Sequence, residues 1–193
     1  MEVFEKGFPE AMKDIVLGVA DKIPRRNYSN VSIIASSGST AYHLGNSLIF
    51  IPYRVYLLEV PEIDIAKMSG TEQTILHCIY SRSCDGYVRE KHIKRLLSSE
   101  LPAWAIPYVF KVCDEYVIEI LQAVYDHLKE KDTENIKQFC ANNRAAFCKS
   151  YNRMISYWNV YYREDCTTFR KYVGRKLFIE CFGAKRTMSF TNV

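Results

Sequence analysis

The stretch PEIDIAKMSG, residues 61–70, separates two parts of the sequence whose hydrophobic patterns differ. Before it, residues 31–58 are rich in β-branched and aromatic residues, and Gly45 opens a Gly-Asn pair suited to a tight hairpin turn. At its end, Ser69 and Glu72 have the spacing of a capping box, which starts a helix. The sequence therefore predicts an α+β fold, with an N-terminal helix and a small antiparallel β-sheet followed by a larger all-helical part.

The part before this stretch combines one helix with the strands. Residues 8–23 carry apolar side chains at helical spacing, which predicts an amphipathic helix that Pro24 ends. Strands are predicted at residues 31–35, 41–44 and 47–58. The loop Ser36–Thr40 joins the first two strands in this interpretation, and an anion site built from its backbone amides is the alternative.

The part after this stretch is helical throughout. Asp85 has the position of a helix cap, and Gly183 has the position of a helix stop. The predicted helices cover residues 69–83, 85–97, 103–129, 133–141, 143–163 and 167–182. The fifth of them places Trp158 and Tyr161 on its apolar stripe, which predicts that both rings are buried. The predicted domains cover residues 1–60 and 71–193, with a linker at 61–70.

The segment CDGYVREKHIKRLL, residues 84–97, is followed by a turn and by the predicted helix that ends at residue 129. This arrangement resembles a HEAT-type helical repeat unit over residues 84–129. The resemblance implies packing as a helical hairpin and structural roles for Asp85, as a cap, and for Arg89, as a bridge to a neighbouring element. Together with PYVFKVCDEYVIEI, residues 107–120, the segment is also similar to a group of uncharacterised bacterial proteins, and this similarity implies no activity.

The composition is that of a soluble globular protein, with 193 residues, 48% of them apolar and 25% charged. The sequence has no apolar run long enough to span a bilayer and no signal-peptide pattern, so we expect a cytoplasmic protein without a membrane partner. Its 7 cysteines include no C-x-x-C pair, which favours free thiols. The nearest approach to a zinc cluster has no familiar ligand spacing: His77, Cys78, Cys84 and His92. We therefore predict no metal and no cofactor.

Polar residues in the helical part supply candidates for a binding site. Glu115, Glu119, Gln122 and Asp126 share one side of the predicted helix over 103–129. Such carboxylates accept basic groups from a neighbouring helix or a partner, and with a histidine they also provide acid and base chemistry. His92 lies between Val88 and Leu96 on the apolar side of its helix, which favours a packed histidine. The candidate binding residues are Glu115, Glu119, Arg89 and His92, and no residue is assigned a catalytic role.

Positive charge is concentrated at the C-terminal end. Residues 144–193 hold ten lysines and arginines against three acidic residues, which is a net charge of +7. The remaining 16 basic and 19 acidic residues give residues 1–143 a net charge of −3. A nucleic acid would therefore meet the C-terminal third. Its contact residues would be Arg163, Arg170, Lys171 and Arg175.

These observations favour a non-catalytic module that binds another protein or regulates it. One alternative is a small enzyme with a site around Cys84, His92 and Glu119, since a thiol at a helix start and a histidine are parts of a nucleophilic site. The other alternative is a nucleic-acid binder that uses the basic C-terminal third.

Overall fold

The computed structural model of the chain describes residues 2–24 and 34–186. The chain forms two compact units, Met1–Tyr108 and Val109–Val193. Within the described ranges there are ten α-helices and one two-stranded antiparallel sheet early in the chain, which confirms the predicted fold class. No helix in those ranges is both long and apolar enough to cross a membrane.

The first unit contains the sheet and the helices that surround it in the chain. Its elements are α1 Glu2–Glu5, α2 Lys13–Lys22, β1 Ser39–Leu44, β2 Ser47–Pro52, α3 Glu62–Ile65, α4 Gly70–Tyr80, α5 Gly86–Ser98 and the start of α6 Ile106–Val112. The predicted helix over residues 8–23 begins later than expected, because a 3-10 turn over Glu10–Met12 precedes α2. A short helix, α3, lies inside the predicted linker.

The hairpin has the predicted tight turn. Strands β1 and β2 pair from Ser39 opposite Pro52 to Leu44 opposite Ser47, and Gly45 adopts a φ of 58° that glycine tolerates best. Most of the predicted strand over 31–35 lies outside the described residues. In the loop before β1, the hydroxyl of Ser36 accepts a hydrogen bond from the backbone N–H of Arg54.

Two local features fix the ends of α4. At its start the predicted capping box is present, because Ser69 and Glu72 each bond the other's backbone N–H. After its end, Arg82 is 1% exposed, and its guanidinium donates to the carbonyls of Pro52 at 3.3 Å and Tyr53 at 2.7 Å. These hydrogen bonds from Arg82 connect the loop after α4 to the end of the hairpin.

The second unit is helical and has an aromatic core. Its elements are the end of α6, α7 Ile118–Leu128, α8 Glu134–Asn142, α9 Arg144–Tyr157 and α10 Val173–Lys176, with π-helical segments at Trp158–Tyr162 and Leu177–Cys181 and a 3-10 turn at Phe169–Lys171. The ring of Phe110 lies 5.4 to 6.2 Å, centroid to centroid, from four other phenylalanine rings. Those rings belong to Phe139, Phe147, Phe178 and Phe182.

The prediction of a single helix over residues 103–129 is wrong. The chain instead forms a 3-10 turn at Ala103–Ala105, then α6, then a non-helical segment over 113–117, then α7. A buried ion cluster lies at this interruption. The carboxylate of Asp114 accepts from Lys111 at 2.8 Å and from Arg153 at 2.7 Å. These partners satisfy the need of a buried carboxylate for opposite charge at the point where the helix is interrupted.

The prediction that Trp158 and Tyr161 are buried is also wrong, because Trp158 is only partly buried and Tyr161 is exposed. The apolar stripe holds through α9, where Phe147, Tyr151 and Met154 are at most 2% exposed. The helix then widens into the π-helical segment Trp158–Tyr162, which changes the number of residues per turn. The side chain of Tyr161 leaves the stripe and is 55% exposed.

Candidate functional site

The packing of α4 against α5 brings two histidines together in the first unit. The Nδ1 atoms of His77 and His92 lie 2.9 Å apart, and Nε2 of His92 lies 2.9 Å from Oε1 of Glu59. His77 is 7% exposed and His92 is fully buried. Glu59, His92 and His77 thus form a connected series of hydrogen bonds, which we call the histidine chain.

Charge and burial set the protonation of the histidine chain. Burial alone would raise the pKa of Glu59, but hydrogen bonds from Lys91 and His92 lower that pKa below its usual value, so Glu59 is ionised. Burial lowers the pKa of His77 to about 4, and burial also lowers the pKa of His92 despite the neighbouring Glu59 carboxylate. Both rings are therefore neutral near pH 7.

The directions of the hydrogen bonds follow from these charges. A carboxylate only accepts, so His92 donates from Nε2 to Glu59, and its Nδ1 is left as an acceptor. His77 therefore donates from Nδ1 to His92, and Nε2 of His77 keeps its lone pair. The arrangement orients His77 in the way that a carboxylate orients the histidine of a general base.

His77 lies in the wall of a cavity of about 400 Å³ between α4 and α5. The cavity is lined by Glu62, Ile65, Ala66, Gly70, Gln73, Thr74, His77, Arg95, Ser98 and Ser99. Arg95 donates from Nη1 to Glu62 at 2.8 Å, and Lys91 pairs with Glu62 at 3.0 Å. Across residues 2–24 and 34–186, no group of three or more His, Cys, Asp or Glu side chains is arranged to hold a metal ion.

The structure gives Asp85 and Arg89 local structural contacts. Asp85 caps α5 and accepts from the backbone N–H groups of Tyr87 and Val88. Arg89 is 4% exposed, and its guanidinium donates to the carbonyl of Ser83 at 2.8 Å and to that of Cys84 at 3.2 Å. Both side chains hold the turn between α4 and α5, and this turn positions His92.

Of the residues in the alternative enzyme site, Cys84 and His92 lie in the first unit and Glu119 lies in the second. Both ring nitrogens of His92 are taken by His77 and Glu59, so neither nitrogen activates the thiol of Cys84, which is exposed. Glu119 lies exposed in the first turn of α7 in the second unit.

The predicted row of carboxylates is interrupted by the break before α7. Glu115 lies in the non-helical segment and is 6% exposed, beside the buried Asp114. Glu119 and Asp126 remain on α7, where Asp126 accepts from Gln122 at 2.8 Å. The structure thus separates Glu115 from the surface row to which the sequence assigns it.

The second unit exposes a group of tyrosines. The ring of Tyr116 lies 5.9 Å from that of Tyr157 and 5.4 Å from that of Tyr161, and the last two are 6.1 Å apart. Tyr116 is 48% and Tyr161 is 55% exposed. We call Tyr116, Tyr157 and Tyr161 the tyrosine cluster. The hydroxyl of Tyr162 donates to the backbone carbonyl of Tyr116, which holds one side of the cluster in place.

The predicted nucleic-acid residues divide into two groups. Arg170 and Arg175 line a cavity of about 380 Å³. The other lining residues are Lys176, Ile179, Glu180 and Arg186. Lys171 is exposed and is not part of this lining. Arg163 lies over the ring of Trp158, with 6.0 Å to the centroid, and donates to Asn159. Only two of the four predicted cations therefore converge.

Comparisons of the chain with protein-family models, with curated proteins and with solved structures found no match.

The sequence did not predict a functional role for Glu59, His77 or the exposed tyrosines. Glu59 is 33 residues from His92 in sequence, so no local spacing signals their contact. Tyr161 is turned outward by the change from an α-helix to a π-helix. The spacing of apolar residues in the sequence does not predict that change.

Proposed function

We propose that the chain is a non-catalytic protein-interaction module that binds its partner through the tyrosine cluster. The observation that carries this proposal is that Tyr116 and Tyr161, each about half exposed, lie with Tyr157 in mutual ring contact on the protein surface. Soluble proteins rarely expose neighbouring large apolar groups unless a partner covers them. Tyrosine is also among the residues that contribute most to binding at protein interfaces.

The surroundings of the cluster favour a partner segment with apolar and cationic side chains. Val160, on the same π-helical segment as Tyr161, is 68% exposed and adds apolar area. Burial and, after it, the charge of Glu119 raise the pKa of the Tyr162 phenol, so Glu119 is close to this surface. Ring faces and a carboxylate both attract lysine and arginine side chains.

The test compares capture of partners from an extract of the native host by immobilised protein. The double variant Tyr116→Ser and Tyr161→Ser removes two of the three rings, and we expect at least about a tenfold loss of the captured partner, which is about 1.4 kcal/mol of binding free energy. Tyr87→Ser is the matched control, because Tyr87 is 86% exposed and lies in the first unit. Circular dichroism checks that all variants fold.

Two outcomes would contradict this proposal. The first is equal recovery of each specific partner by the wild type and the double variant. The second is an equal loss with Tyr87→Ser, because that result would reflect general stickiness of exposed tyrosines and not a defined surface.

A nucleic-acid binder is the second candidate, favoured by the convergence of Arg170, Arg175, Lys176 and Arg186 on one cavity. Binding to duplex DNA would weaken with salt at a log–log slope of about −0.9 per neutralised phosphate. The double variant Arg170→Ala and Arg175→Ala should reduce that slope by up to about two units. The control, Lys131→Ala with Lys149→Ala, removes the same charge from exposed positions outside this cavity. Absence of binding at low salt, or equal slopes for both double variants, would remove this candidate.

We also propose that the protein is located in the cytoplasm. All 7 cysteines are free thiols in the structure, and this supports a reducing environment.

A further inference from the structure

The cavity beside the histidine chain exposes two polar groups whose bonding capacity is not used by the protein. Nε2 of His77 accepts no hydrogen bond from residues 2–24 or 34–186. Arg95 uses Nη1 for Glu62, and within the same ranges its Nη2 and Nε donate to no side chain or carbonyl. One wall of the cavity therefore offers an acceptor, and another offers a guanidinium with free donors.

We propose that this cavity binds a small carboxylate that carries a hydroxyl group, with the carboxylate on Arg95 and the hydroxyl donating to Nε2 of His77. This site lies in the first unit, so the inference goes beyond the proposed function and does not depend on it. The volume of about 400 Å³ is within the range of pockets that hold small molecules.

The hydroxyl is required because His77 can only accept at Nε2. Its Nδ1 proton is committed to His92, which is itself committed to Glu59, so the tautomer of His77 is fixed by two hydrogen bonds of 2.9 Å each. Burial lowers the pKa of His77 to about 4, and the ring therefore brings no positive charge to the cavity near pH 7. A ligand without a donor would leave this nitrogen unpaired, which is costly once water is displaced.

The carboxylate is required because Arg95 supplies the positive charge that is accessible from the cavity. Lys91 also lies near His77, but it is held between Glu59 at 2.5 Å and Glu62 at 3.0 Å. The side chain of Arg95 remains 36% exposed, and its guanidinium keeps Nη2 and Nε as a pair of donors in one plane. Two adjacent guanidinium donors match the two oxygens of a carboxylate. A ligand therefore binds without displacing Glu62.

The test is a titration of the wild-type protein at pH 7 with glycolate, the smallest hydroxycarboxylate, monitored by NMR at the imidazole Cε1–H of His77. We expect a saturable shift with a dissociation constant in the millimolar range, as suits a ligand of a few atoms. Acetate has the carboxylate without the hydroxyl, and we expect it to bind at least about tenfold more weakly. Equal binding of acetate and glycolate, or no saturable shift with glycolate, would overturn the proposal.

A variant pair tests the carboxylate contact without disturbing the buried histidines. Arg95→Gln removes the guanidinium at a half-exposed position, and we expect glycolate affinity to fall at least about tenfold. Lys94→Gln is the control, because Lys94 is the neighbouring cation, is 58% exposed and is not part of the cavity lining. Wild-type affinity in Arg95→Gln, or equal losses in both variants, would contradict the assigned role of Arg95.

Discussion

At the scale of single residues, the buried side chain of Arg82 connects the loop after α4 to the hairpin by hydrogen bonds. Arg82→Met keeps much of the side-chain volume but removes the donors to the carbonyls of Pro52 and Tyr53. We expect the free energy of unfolding to fall by about 2 kcal/mol, measured by urea denaturation, since the carbonyl of Pro52 loses a charged donor in a buried hydrogen bond.

A matched variant shows whether the loss comes from burial. Arg54 also donates to the carbonyl of Tyr53, at 2.7 Å, but that hydrogen bond is exposed. Arg54→Met should therefore cost less than about 1 kcal/mol, because water replaces the lost donor. Equal costs for the two variants would mean that burial of Arg82 is not the source of its effect.

The histidine chain makes stability depend on pH. The pKa of His77 is lowered to about 4 in the folded protein, against 6.5 for an ordinary histidine. Between these values the unfolded chain binds a proton at His77 that the folded protein does not bind. His77 therefore does not reduce the free energy of unfolding above pH 6.5, and it reduces that free energy increasingly as the pH drops towards 4. We expect His77 to contribute a loss of up to about 1.4 kcal/mol per pH unit in this window, measured by denaturation at several pH values.

The variant His77→Gln isolates this contribution. Its side-chain amide still donates to His92 but does not titrate, so the dependence on pH should become shallower between pH 6.5 and 4. His43→Gln serves as the control, because His43 lies exposed on β1. A pH dependence that is the same in His77→Gln and in the wild type would show that His77 is not the titrating group.

At the residue scale, the sequence predicts contacts that are local and misses those that are distant. Ser69 with Glu72, and Asp85 with the turn that follows it, are recognisable because partners three residues apart meet at any helix start. The placement of His92 in the core is also predictable from its helical face. Its partners are not, because Glu59 and His77 reach it only through packing of separate elements.

At the scale of elements, the cap of α5 is the contact whose loss is easiest to measure. Asp85→Ala removes an acceptor for the backbone N–H groups of Tyr87 and Val88. We expect thermal or urea unfolding to show a loss of about 1 kcal/mol. Glu100→Ala, at an exposed position after the end of α5, should leave stability within about 0.5 kcal/mol of the wild type. If both variants cost the same, the cap contributes nothing specific.

The helix boundaries show why element prediction fails where it does. The interruption at 113–117 lies within an unbroken helical pattern, and the buried pairing of Asp114 with Lys111 and Arg153 is found at this interruption. Arg153 is 39 residues from Asp114, so only the folded unit shows that this carboxylate has a partner. The hairpin and α4, in contrast, are specified by Gly45 and by a capping box, which act within a few residues.

At the scale of the whole molecule, the thiols divide by burial. Cys84 is exposed, and Cys148 and Cys166 are partly exposed. The other four are buried, and burial raises the pKa of each of them: Cys78, Cys113, Cys140 and Cys181. In the native protein we expect a thiol reagent to modify at most Cys84, Cys148 and Cys166. After denaturation without reductant we expect it to modify all 7 thiols. Fast native modification of Cys78 or Cys113, or a missing thiol after denaturation, would contradict this assignment.

The central claim at this scale is that the molecule binds another protein through the tyrosine cluster. The most direct measurement is photo-crosslinking in the native host, with a benzophenone amino acid in place of Val160, which is 68% exposed and adjacent to Tyr161 in the chain. The matched control carries the same probe in place of Tyr87, which is 86% exposed in the first unit. The account predicts a discrete crosslinked protein at position 160 that is absent at position 87 and lost when Tyr116→Ser is added. No discrete product at position 160, or the same products at both positions, would contradict it.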